Sequence, residues 1–150
     1  MNKILYLTVS LCACSPTGEN PYLYSSPENA LNSLERAYVN EDLNQAVASK
    51  DFVYEARMIL ENVNPELLET DLIEETAEVL ELAFRKEIEL FGFPELVEME
   101  CYSADVPISS TEALITKICK YSDNESSTQK FIAHKTNSVW KIASVIDKDA

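Results

Sequence analysis

Glycine is nearly absent from this chain, and the shortage removes whole classes of function. Only 2 of the 150 residues are glycine, Gly18 and Gly92, and they lie far apart. Dinucleotide sites and P-loops need several closely spaced glycines so that backbone can approach phosphate, which excludes nucleotide binding through such a loop. There is one histidine, His134. No Gly-x-Ser-x-Gly run offers a nucleophile elbow. Four cysteines without Cys-x-x-Cys spacing fall short of a zinc signature. Lys and Arg number 12 against 26 Asp and Glu, and the net charge of −14 argues against nucleic acid as a partner. No apolar run reaches the ~20 residues that span a bilayer.

What remains is enough for one folded domain. Apolar residues make up 46% of the chain, too many for general disorder and sufficient for a real core. The acid is concentrated. Residues 51–100 carry 15 acidic and 3 basic side chains, whereas residues 101–150 carry 6 of each. One half of the domain is therefore strongly negative, either as a solvated helix face or as a docking face for a basic protein.

The chain opens with Lys3, a short apolar run from Ile4 to Leu11, and small residues. That is the layout of a secretory signal. The tetrad Leu11-Cys12-Ala13-Cys14 resembles the bacterial lipobox. The resemblance implies cleavage after Ala13 and acylation of Cys14, with Cys12 a less usual residue in the middle of the pattern. An ordinary cleaved signal, giving a soluble periplasmic protein, is the alternative. Ser15 after the modified cysteine implies transfer to the outer membrane, facing the periplasm. Residues 1–13 are thus read as a signal peptide and 14–25, with Pro16, Gly18, Asn20 and Pro21, as a flexible tether. Two or more acyl chains would hold the protein firmly at a membrane.

The folded domain is expected over residues 26–147. Ser26-Pro27-Glu28 is a helix start, a serine cap followed by proline in the first turn. Ala30, Leu31, Leu34, Ala37 and Tyr38 then recur at helical spacing. Asn40 is expected to stop this helix and cap a second from Glu41 to Ser49. Phe52, Ala56, Ile59 and Leu60 continue the pattern after Asp51. Asn64-Pro65-Glu66 repeats the cap-and-proline signal ahead of a long amphipathic helix ended by Gly92 and Pro94, with a break allowed at Thr70-Asp71. Leu96–Ser103, Ala113–Tyr121, Gln129–Lys135 and Val139–Ile146 read as strands, the last two joined at Asn137-Ser138.

Helices followed by a meander of strands make an α+β fold, with N-terminal helices packed on a curved antiparallel sheet of about four strands. The Ala- and Leu-rich first helix, the short second helix after Asn40-Glu41-Asp42, and the closing Ser138-Val139-Trp140-Lys141-Ile142 resemble the NTF2-like superfamily of cone-shaped domains. The stretch Thr76 to Glu87 resembles the immunity-protein branch of that superfamily. The resemblance implies a conical pocket and, often, a homodimer.

Several candidate sites follow. If the first two strands pair through a loop near Ser110, Cys101 and Cys119 fall almost opposite each other. A disulfide and two buried free thiols are both open there. Asp71, Glu74, Glu75 and Glu78 head the acidic helix and are the candidate partner-binding residues. Tyr102, Tyr121, Phe131, His134 and Trp140 are candidates to line a pocket, although Phe131 and His134 differ in strand parity. No catalytic residue, cofactor or metal is expected. The reading is a non-enzymatic, lipid-anchored protein that binds a basic protein, plausibly as an immunity-type inhibitor. The alternatives are a carrier of a small apolar ligand and, third, a lyase- or isomerase-like enzyme with His134 as base.

Overall fold

The computed structural model describes residues 20–95, 100–121 and 125–145. The leader and Cys14 lie outside the described residues. The fold is α+β. Helices α1 (Pro27–Val39), α2 (Leu43–Ala48), α3 (Phe52–Val63) and α4 (Thr70–Phe91) precede strands β1 (Glu100–Pro107), β2 (Glu112–Lys120), β3 (Ser126–Thr136) and β4 (Val139–Val145). The strands form one antiparallel sheet in the order β1-β2-β3-β4. Among the described residues no helix is long and apolar enough to cross a membrane.

Side chains of the preceding residues start the first three helices. Ser26 accepts from the Asn29 N–H, Asp42 from Gln45 and Asp51 from Tyr54. Each such cap contributes about 1 kcal/mol by satisfying an amide that the helix cannot. Asn40 is the C-cap of α1, and the N-cap of α2 falls to Asp42, two residues later than the sequence suggested. Asn64-Pro65 starts only a 3-10 turn, Pro65–Leu67, and α4 begins afresh at Thr70. Gly92 closes α4 with φ of 82°, a conformation that side-chain-bearing residues avoid. At the β3–β4 hairpin Asn137 and Ser138 both have positive φ, 52° and 66°, the pattern of a tight turn matched to strand twist.

One face of the sheet packs on α1. Leu31, Leu34 and Ala37 meet Ile115, Phe131, Ala133 and Ile142 in the main core. A second cluster, Phe52, Ala56, Leu60, Ile73 and Ala77, joins α3 to α4, and Phe84 packs against both. Lys117 on β2 pairs with Glu35 on α1, a tie between helix and sheet. Cys101 and Cys119 are direct partners in the β1–β2 register, with Cα atoms 4.1 Å apart, and a disulfide joins them.

Two expectations need correcting. The stretch before Ser26 is not a free tether up to Ser25. Tyr22 is buried, the Leu23 amide and carbonyl both bond Ser33 Oγ, and the Tyr24 carbonyl accepts from the Trp140 N–H. The packed chain thus reaches back at least to Tyr22, because two tyrosines supply apolar surface that the core can bury. The first strand also runs on to Pro107, further than Ser103, since its pairing with β2 continues to Pro107 opposite Ala113.

The outer edge of β4 is covered from two sides. Tyr24 takes one of its amides, and the segment Ser49–Asp51 pairs with Ile142 in parallel: Ile142 donates to Ser49 and Asp51 donates to Ile142. Covering an edge in this way removes a template for unwanted strand pairing. It also carries Asp51 to the rim of the sheet.

Candidate functional site

Helix α4 presents the acidic surface. Apolar Ile73, Ala77, Phe84 and Ile88 turn inward, so the opposite side is left to solvent. Asp71, Glu75 and Glu78 lie on that open side and are exposed. Among the described residues none of them, nor Glu74, has an ion-pair partner. The only two cations of the helix are already taken: Arg85 pairs with Glu81 at 2.8 Å and Lys86 with Glu89 at 2.6 Å. In the middle of this face stand Val79 and Leu82, 64% and 57% exposed. At helical spacing they follow Glu75 and Glu78 by one turn. The four acids do not form one cluster. Glu74 and Glu78, both exposed, border a groove of about 370 Å³ shared with Lys50, Asp51, Val53 and Lys141.

Lys50 anchors the floor of that groove. Its ammonium lies 3.0 Å from Glu55 Oε2, a charge contact outside hydrogen-bond angles, and sits 5.7 Å from the centre of the Phe52 ring. Packing the lysine stem over Phe52 and Phe84 while its charge meets Glu55 lets a cation sit close to the core.

On the other side of Asp51 lies a second cavity, of about 470 Å³. Its rim brings together α3, β3, β4 and the β3–β4 hairpin. Asp51 Oδ1 caps α3 by accepting from the Tyr54 N–H at 3.0 Å. Asp51 Oδ2 lies 2.8 Å from His134 Nδ1. The His134 ring stacks on Tyr54, with centroids 4.0 Å apart and planes 16° from parallel. Arg57 and Lys141 border the same cavity, with Val53 and Val139 as apolar wall. Both side chains of the Asp51–His134 pair are largely shielded, at 10% and 21% exposure.

This pair is not a hydrolytic triad. In a triad the carboxylate holds one ring nitrogen and the nucleophile meets the other. Here the Thr136 hydroxyl lies 3.3 Å from the same Nδ1 that faces Asp51. Thr136 therefore cannot pass its proton to the free side of the ring. Among the described residues, Nε2 has no partner and no three-residue metal cluster exists.

The five aromatic and histidine positions expected around a cone pocket do not surround a common space. Phe131 is buried in the core and His134 lies on the opposite strand face. Tyr102 is exposed, next to a separate cavity near Glu35 and Lys117. Tyr121 is exposed and bonds Ser127, while Trp140 packs against the core under Lys135. The space the pocket would need is filled by Leu31, Ile115, Phe131 and Ile142. Asp51, Tyr54, Arg57 and Lys141 were missed by sequence reasoning, and the one local signal was Asp51 standing where a helix cap belongs. No protein-family model, no curated protein and no solved structure matches this chain, so no relative lends a function to either site.

Proposed function

We propose that this is a non-enzymatic binding protein, NTF2-like and lipid-anchored through Cys14, that docks a basic protein on the open face of α4. One observation carries the reading: Val79 and Leu82 are exposed in the same helical stripe as Asp71, Glu75 and Glu78, whose charges no neighbouring cation neutralises. Val79 and Leu82 give the centre of that acidic face aliphatic surface that a partner can bury. Apolar residues beside unpaired acids suit a basic protein partner, with the charge speeding encounter and the aliphatic pair supplying burial. The lipid anchor rests on the tetrad Leu11-Cys12-Ala13-Cys14, and an envelope location with an immunity-type inhibitory role fits the same picture.

The test is a retention experiment with extract of the producing cell's envelope, using the chain with Cys14→Ser as bait. The wild-type face should retain a basic protein at low salt and release it at high salt. The variant Asp71→Lys/Glu75→Lys/Glu78→Lys should not retain it. Equal retention by this variant would overturn the proposal.

A further inference from the structure

We propose that the cavity beside Asp51 and His134 binds a small organic carboxylate, held between Arg57 of α3 and Lys141 of β4. Its existence does not depend on the α4 docking face.

The chain has a net charge of −14, yet this cavity gathers Arg57 and Lys141 and a single carboxylate, Asp51. Asp51 turns one oxygen to the Tyr54 amide and the other to His134. It makes no ion pair with either cation. Neither Arg57 nor Lys141 has an ion-pair partner among the described residues, although 26 acidic side chains are available in the sequence. Two unmatched cations on different elements facing one concavity make a site complementary to an anion. Arginine in particular matches the two oxygens of a carboxylate with parallel N–H donors.

The walls select what the anion is attached to. Val53 and Val139 supply aliphatic surface beside the stacked Tyr54–His134 pair. A cavity of about 470 Å³ falls within the range usual for small-molecule sites. Inorganic phosphate would use the cations and leave that apolar wall wet. A short aliphatic carboxylate would use both. His134, stacked on Tyr54 and bonded to Asp51, gives the cavity a rigid back, so the site is largely formed before ligand arrives.

Hexanoate is the probe, added to the chain carrying Cys14→Ser and followed by the NMR signals of the His134 ring, the Val53 and Val139 methyls and the Arg57 guanidinium. Saturable shifts confined to these groups are expected with hexanoate, and none with hexanol or inorganic phosphate at equal concentration. Arg57→Gln and Lys141→Gln should each weaken binding about tenfold, the loss expected for one charge-assisted hydrogen bond. Both side chains stand outside the core, and unchanged amide spectra of the variants report that the fold is intact. No saturable shift with hexanoate, equal shifts with hexanol, or unchanged affinity in both variants would each overturn the proposal.

Discussion

Asp51 Oδ2 and His134 Nδ1 lie 2.8 Å apart although 83 positions separate the two residues in the chain. The same aspartate starts α3 through its other oxygen, so one side chain fixes the helix start and fastens it to β3. Removing it withdraws a cap and a charge-assisted hydrogen bond together. Asp51→Ala should cost about 2–3 kcal/mol, from roughly 1 for the cap and 1.5 or more for the bond. Urea unfolding of Asp51→Ala, His134→Ala and the double variant should give a coupling near about 1 kcal/mol. Strict additivity would mean the contact carries no energy of its own.

The disulfide makes a second prediction. Cys101 and Cys119 are 18 residues apart, and closing a loop of that size contributes about 3 kcal/mol. Cys101→Ser/Cys119→Ala should lower the unfolding free energy measured in urea by that amount. Thiol titration of the oxidised, denatured Cys12→Ser/Cys14→Ser chain should find neither remaining cysteine free. Two free thiols there would contradict the bond.

Burial pushes the Tyr38 hydroxyl up to about 12 from 10.0, with Glu87, Glu35 and Glu55 adding to the effect. Between these values the folded state keeps a proton that the unfolded chain has released. Stability is therefore undiminished by this group below about pH 10 and falls as pH rises toward 12, by about 2–3 kcal/mol in all. Tyr38→Phe should flatten the stability profile in that window and leave it unchanged near neutrality. An identical alkaline slope in the variant would show that the loss comes from elsewhere.

The two faces of the sheet should respond differently to truncation. Ile115 is wholly buried against α1, and Ile115→Ala should cost about 2–5 kcal/mol. Val106 on β1 is exposed, and Val106→Ala should stay within about 0.5 kcal/mol. Thermal unfolding of the two variants checks the contrast. Comparable losses would mean that the outer face is covered in solution.

Much of this architecture could be read from local pattern. Ser26-Pro27 and Asp51-Phe52 are written as helix starts, and the apolar spacing of α1 gives its inner face. On α4 the same spacing puts Val79 and Phe91 inside with Phe84 and Ile88, whereas Val79 and Phe91 are exposed and Ile73 and Ala77 are buried instead. Alternation along β3 placed Phe131 and His134 on opposite faces. What escaped is whatever depends on residues far apart in sequence. The Ser49–Asp51 pairing with Ile142, the Tyr24 bond to Trp140 and the meeting of Asp51 with His134 leave no period behind. Asn64-Pro65 misled in another way. The start signal is real, but it opens one 3-10 turn, and a second start at Thr70 begins the long helix.

The most direct test of the α4 docking face is carboxyl footprinting with a carbodiimide and glycine ethyl ester, with and without the basic protein retained by the bait. The account predicts that Glu75 and Glu78 lose reactivity in the complex while Glu28 and Glu112, on α1 and β2, keep theirs. Unchanged labelling of Glu75 and Glu78 in a saturated complex would place the partner elsewhere and contradict the account.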